Sequence, residues 1–146
     1  MTCADKPVML RAIAQWEIPL YWERIAKLLV PVMRRAEVDN TLEDVQQFLR
    51  TGSMQAWHVD WNTIVITAIQ PFGASAQQPT KRVCQIVYCA GEGMEEWLEP
   101  VVTHLKTWAG SMGCQVLRIS GRRGWTRVLP EFKETCTTLE TDICPH

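Results

Sequence analysis

The run Val83-Cys-Gln-Ile-Val-Tyr-Cys-Ala90, then Gly91-Glu-Gly93, then Met94-Glu-Glu-Trp-Leu-Glu-Pro-Val-Val-Thr-His-Leu-Lys-Thr-Trp-Ala-Gly-Ser-Met112, decides the fold. Its first segment is apolar almost throughout, as a central strand covered on both faces must be. Trp97, Val101, Leu105, Trp108 and Met112 then recur every three or four positions, the stripe of a helix packed along one side. Pro100 interrupts the pattern, so the regular helix is expected to begin only there. Gly113 caps it, and Gln115–Ser120 (QVLRIS) reads as the next strand. A strand, a helix and a further strand make a right-handed crossover if the two strands are parallel neighbours. Trp108→Ala in such a core is expected to cost roughly 3–5 kcal/mol.

Working back toward the N-terminus, Thr63–Ile69 and Met54–Val59 are strand-like and joined by Asp60-Trp61-Asn62, a hairpin pattern. Pro71–Thr80, rich in Gly, Pro, Ser and Gln, reads as the loop to the central strand. Thr41-Leu-Glu-Asp44 has the form of a capping box, Leu42, Val45, Phe48 and Leu49 make a buried face, and Gly52 stops the helix. Ile25, Leu28, Leu29 and Val32 mark a preceding amphipathic helix, with Glu23 and Lys27 paired on its wet side. Pro31 is expected to kink or end that helix. Val8–Ile13 is a plausible first strand.

Toward the C-terminus, Gly121-Arg-Arg-Gly124 reads as a turn, Trp125–Leu129 as a short helix stopped by Pro130, and Phe132–Thr141 as a final strand. The order is β-α-α-β-β-β-α-β-α-β: an α/β (α+β) fold with a mixed, mainly antiparallel sheet and helices on both faces. The 146 residues suit a single domain over 1–146, with its core at about 8–141.

Composition narrows the function classes. Lys plus Arg is 15 and Asp plus Glu 16, a net charge of −1, which excludes broad affinity for nucleic-acid backbone. Hydrophobic residues are 47% and charged residues 21%, ordinary for a globular chain. No apolar run approaches the roughly 20 residues of a membrane span, and the N-terminus lacks a secretory pattern, so a cytoplasmic location is expected. The six cysteines, Cys3, Cys84, Cys89, Cys114, Cys136 and Cys144, are then expected to be reduced. Cys84 and Cys89 lie an odd number of positions apart on one strand, which places them on opposite faces. No CxxC occurs and His58, His104 and His146 lack finger spacing, so no metal is expected; Cys144-Pro-His146 is a weak candidate.

The order of elements resembles the GNAT family of N-acetyltransferases, over roughly Val8–Thr141. A narrower likeness is to small GNAT-like proteins of tailed bacteriophages, carried by Gly113-Cys114 and by Gly121-Arg-Arg-Gly-Trp-Thr-Arg-Val-Leu129. The resemblance implies an acetyl-CoA site at the N-terminus of the central helix, where glycines admit the pyrophosphate to free N–H groups. Gly91 and Gly93 have the family's glycine spacing, but its preceding Gln or Arg is absent. Glu92, Glu95 and Glu96 place carboxylates where the phosphates would lie, and Arg122 and Arg123 are the groups able to offset them. The family's tyrosine acid, on the helix after the penultimate strand, is missing: only Tyr21 and Tyr88 occur, and Trp125 stands near that place. His58 and Glu92 are the available bases, although His58, alternating with Trp57 and Val59 on a strand, reads first as an outward or satisfied polar residue.

The sequence therefore leads to a phage-type accessory or virion-associated protein that has lost or nearly lost acetyltransferase chemistry, with no acetyl-CoA bound in the low micromolar range. It would act through protein subunits, with Trp16, Trp22, Trp61, Arg122 and Arg123 as contact candidates. The alternative is an acetyl-CoA-dependent N-acetyltransferase with a divergent phosphate loop. The arginines around Arg122 also suit a purely structural turn paired with Glu131 and Glu134, and nucleic acid is an unlikely ligand.

Overall fold

A computed structural model describes residues 10–35, 40–59, 61–72, 81–91, 94–120, 133–135 and 138–143. In chain order they form β1 (Arg11–Ile13), a 3-10 turn (Gln15–Glu17), α1 (Ile18–Arg35), α2 (Leu42–Thr51), β2 (Gln55–Val59) and β3 (Thr63–Phe72). β4 (Lys81–Gly91), α3 (Met94–Ser111), β5 (Val116–Ser120), β6 (Lys133–Thr135) and β7 (Thr138–Asp142) follow. The sheet has seven strands in the order β1-β2-β3-β4-β5-β7-β6. Every pair is antiparallel except β4 with β5, which the α3 crossover joins in parallel. The expected mixed sheet, with the apolar run in its middle strand, is the observed one.

The sheet separates two cores. On one side α3 lays Leu98, Val101, Val102, Leu105 and Ala109 on Trp57, Val65, Cys84, Ile86 and Leu117. On the other, α1 and α2 bring Ile18, Ile25, Leu29, Val45 and Leu49 onto Ile64, Ile66 and Tyr88. The stripe of α3 is thus rotated from the one the tryptophans suggested. Trp108 is half-buried at its flank, edge-on to Trp57 with ring centroids 4.8 Å apart. Met112, one residue past the helix, is 45% exposed, and the Trp97 side chain lies outside the described set.

Caps and breakers acted as their chemistry requires, with two exceptions. The Asp44 N–H donates to Thr41 Oγ1 (3.1 Å) and the Thr41 N–H to Asp44 Oδ2 (3.0 Å), closing the capping box. Gly113, at φ +83°, ends α3 in a Schellman turn, with Cys114 N–H donating to Ala109 O and Gly113 N–H to Gly110 O. The exceptions are prolines. Pro31 and Pro100 both lie inside helices, so α1 runs on to Arg35 and α3 begins at Met94. Each proline is exposed, so its ring faces water and the helix loses one internal bond without burying an orphaned group.

Four more expectations are corrected. β1 is confined to Arg11–Ile13, and residues 8 and 9 are outside the described set. Phe48 is 37% exposed, because Val45 and Leu49 already fill the inner face of α2. β3 and β4 extend into the expected loop as far as the pairs Pro71–Arg82 and Phe72–Lys81. The C-terminal segment is a hairpin, β6 with β7, where one strand was expected. The short helix expected at Trp125–Leu129 lies outside the described residues.

Candidate functional site

β4 pairs with β3 along its whole length, from Lys81 to Gly91, but with β5 only from Val83 to Ile86. From Val87 to Gly91 no described strand lies on its other edge. A β-bulge in the β3–β4 pairing lies just past the last β4–β5 pair, Ile86 with Ile119. Ile66 faces Tyr88 and Thr67 faces Ile86, leaving Val87 as the extra residue of β4. A bulge bends its strand and sharpens the twist, and such re-aimed edges are common beside functional sites. The open edge is about 16 Å long at roughly 3.3 Å per residue. Its N–H and C=O groups need partners that no described strand supplies. Three residues beyond Gly91, α3 begins at Met94, with first-turn N–H groups that have no acceptor inside the helix. The edge of β4 that no described strand covers therefore leads to a helix N-terminus.

Gly91 has φ +137°, and a Cβ built there lies 2.6 Å from Asn62 O, 2.6 Å from Thr63 Cγ2 and 2.8 Å from Thr63 Cα. The β2–β3 turn, crossing close against the end of β4, is thus sufficient reason for glycine. The residue is also exposed, so its backbone is open to a ligand as well.

The bulge decides which core each side chain of β4 joins. It interrupts the alternation of β4, so Cys84 and Cys89 both join the α3-side core, where unbroken alternation would have separated them. Tyr88 points into the opposite core, and Val87 packs against that same core. Burial pushes the Cys84 and Cys89 thiols up to about 12, with Cys114 adding to the effect on Cys84. Cys114 is raised as well, by burial, against a lowering hydrogen bond and charge from Arg82. All three are free thiols and stay protonated at neutral pH, so none is a nucleophile. Cys3, Cys136 and Cys144 lie outside the described residues.

His58 and Trp61 form a second constellation, on the α1/α2 side of the β2–β3 turn. The Trp61 N–H donates to His58 Nδ1 (3.3 Å), and the two rings stack with centroids 4.0 Å apart. The Arg24 guanidinium carbon lies 5.6 Å from the centre of the Trp61 ring, and Tyr21 leans on that ring at 4.7 Å. Trp61 adopts φ +59°, a left-handed turn conformation that these contacts hold. The imidazole is engaged through Nδ1, the arrangement of a satisfied strand histidine. Across the sheet His58 pairs with Ile64, and Ile64 with Ala90, so it stands two strands from β4.

The contact candidates separate. Trp16 is 72% exposed at the 3-10 turn, whereas Trp22 and Trp61 are half-buried against the α1/α2-side core. Glu92, Gly93, Arg122 and Arg123 lie outside the described residues. Glu95 and Glu96 fall in the first turn of α3. Among the described residues no group of three or more His, Cys, Asp or Glu is placed to hold a metal ion. No described helix is long and apolar enough to cross a membrane. Sequence reading missed the bulge in β4 and the position of Tyr88. A bulge leaves no mark in a run that is apolar almost throughout.

No family model matches the chain, and no curated protein matches it by sequence. Solved structures do match its fold. A predicted acetyltransferase with acetyl-CoA from Clostridium acetobutylicum superposes with a TM-score of 0.63 at 13% identity, over 88% of this chain and 92% of that one. An aminoglycoside acetyltransferase from an uncultured soil metagenomic sample, in complex with trehalose, gives 0.57 at 12%, over 86% and 85%. A probable N-acyltransferase from Enterococcus faecalis V583 gives 0.62 at 12%, over 87% of this chain, which spans only 32% of that longer one. At such identities the likeness is one of architecture, and the chain has the GNAT fold of the N-acetyltransferases.

Proposed function

We propose that this chain is an acetyl-CoA-dependent N-acyltransferase. The observation that carries the reading is the open edge of β4 from Val87 to Gly91, leading to the N-terminus of α3. The pantetheine arm of CoA is an extended chain with two amides, and an unpaired strand edge takes such a chain by main-chain hydrogen bonding. Bound acetyl-CoA would supply an activated acyl thioester. The N–H groups of Val87–Gly91 would orient it, and the first turn of α3 would meet the pyrophosphate. Glu95 and Glu96 in that turn oppose the phosphates, so the countercharge falls to Arg122 and Arg123. The three described thiols stay protonated, which favours direct transfer to an amine over an acyl-cysteine route.

The solved neighbours support this reading over loss of the chemistry, since one of them holds acetyl-CoA on the same fold. Nothing in the comparisons speaks for a phage or a virion role. The test is a thermal melt with acetyl-CoA, followed by release of free CoA thiol in the presence of a panel of primary amines. A raised melting temperature and amine-dependent release are expected. A second reading, contact with another protein subunit, draws support from Trp16 and Leu20, 72% and 68% exposed at the start of α1. Light scattering of the wild type and Trp16→Ser would detect self-association through that surface.

A further inference from the structure

We infer that His58 is a positioning residue: its neutral imidazole holds the β2–β3 turn against the end of β4, and its protonation at acid pH weakens acyl-CoA binding there. The inference rests on the acyl-CoA reading above.

Trp61 is the pivot of the turn. Its φ of +59° is sparsely populated for a bulky side chain and persists only where the surroundings hold it. The buried His58 supplies two of the holds. Its Nδ1 accepts from the Trp61 N–H at 3.3 Å, and its ring stacks on the indole at 4.0 Å with the planes 13° apart. Asn62 and Thr63 follow directly. The Asn62 N–H donates to Val59 O (3.1 Å), and Thr63 pairs with Gly91. These are the same two residues that leave no room for a Cβ at Gly91. Gly91 in turn ends the edge of β4 proposed for the ligand, three residues before α3.

Protonation acts on the bond to Trp61. Nδ1 accepts only while it carries no proton, and an imidazolium is a donor at both nitrogens, so the Trp61 N–H loses its acceptor. Histidine is the side chain whose charge ordinarily changes near neutrality. Among the described residues the charged groups facing it are cations: Arg11, its register partner on β1, and Arg24 of α1, over the Trp61 ring. Tyr21 leans on that ring, Ile64 is the uncharged partner on β3, and Asp60 lies outside the described residues. Phenylalanine would keep the stacking and lose the acceptor, so the two holds can be separated.

The experiment compares the wild type with His58→Phe and with His58→Asn, whose side-chain oxygen replaces Nδ1 as an acceptor that does not titrate. Amide NMR without ligand, between about pH 7.5 and about pH 5.5, reads the turn. The Trp61, Thr63 and Gly91 amides should move together in the wild type and stay still in both variants. Calorimetry with acetyl-CoA at the two pH values reads the ligand, and the variants cancel the titration of its own phosphates and of His104 and His146. Acid should weaken the wild type roughly three- to tenfold more than either variant, the loss of one neutral hydrogen bond. At the higher pH His58→Asn should bind more tightly than His58→Phe. A Gly91 amide that stays still while Trp61 titrates would overturn the inference, as would an equal acid effect in all three proteins; both leave the acyl-CoA reading intact. No binding of acetyl-CoA by the wild type at either pH would defeat that reading, and the claim on the ligand with it.

Discussion

Replacing Gly91 by alanine separates two roles that one glycine can have. If it serves only a ligand's approach, Gly91→Ala should leave the fold unaffected. The structure demands more. Its φ of +137° is closed to a side chain, and the added Cβ meets Asn62 O and Thr63 Cγ2 at 2.6 Å and Thr63 Cα at 2.8 Å. Two of these three atoms, Asn62 O and Thr63 Cα, are backbone, so relief requires the β2–β3 turn to move off the end of β4. The backbone conformation costs about 1–2 kcal/mol. The overpacking adds roughly 1–3 kcal/mol. The sum, about 2–5 kcal/mol, corresponds to a melting temperature lower by roughly 6–15 °C in a domain of this size. Two other glycines calibrate it. A Cβ at Gly113 (φ +83°) meets nothing nearer than Arg82 Cδ at 3.8 Å, and at Gly52 (φ +86°) only the flexible end of Gln15 is close. Each should cost about 1 kcal/mol as alanine. Urea denaturation followed by tryptophan fluorescence gives all three values. Gly91→Ala costing no more than Gly113→Ala would refute the reasoning.

Three further outcomes are expected. Trp108→Ala should cost about 2–3 kcal/mol, below the range for a fully enclosed aromatic, because Trp108 is half-buried; Leu105→Ala, fully buried, should equal or exceed it in the same denaturation assay. Thr67→Val should cost about 1–3 kcal/mol, since Thr67 Oγ1 accepts from Trp57 Nε1 (3.0 Å) and donates to Gln55 Oε1 (3.0 Å), and the loss orphans a buried indole N–H. Trp57→Phe in the same chain should make Thr67→Val cheaper, which a double-mutant cycle measures. Cys84 and Cys89 have folded-state pKa values raised to about 12, so the stability they carry is full below about pH 9 and is lost as pH rises toward 12. Denaturation midpoints across that range should fall less steeply for Cys84→Ala/Cys89→Ala, and intact masses after alkylation, with and without reductant, should agree if every cysteine is reduced.

Much of the architecture was legible because it rests on local chemistry. The Thr41–Asp44 box, the stops at Gly52 and Gly113 and the hairpin around Trp61 follow from side chains a few residues apart. The 83–90 run, apolar almost throughout, announced a strand buried on both faces. What stayed hidden is non-local. The bulge at Val87 depends on how Ile66 and Thr67 of another strand register against β4, and it alone puts Cys84 and Cys89 on one face. The tryptophans of α3 suggested a stripe centred on themselves, whereas Leu98, Val101, Leu105 and Ala109 hold the inner line. Pro31 looked like a terminator because sequence does not show that its ring faces water. For the site, the glycines were visible, but not the reason for Gly91, which is the approach of Asn62 and Thr63 from the neighbouring turn.

The central claim is that the edge of β4 beyond Ile86 receives an acyl-CoA ligand. Amide hydrogen exchange across Val87–Gly91, with and without saturating acetyl-CoA, tests it most directly, because no described strand protects that edge. Slowing of exchange by about tenfold or more in this segment, corresponding to about 1.4 kcal/mol, together with slowing in the first turn of α3, is the predicted result. Unchanged exchange there, whether or not protection shows elsewhere in the chain, would contradict the claim.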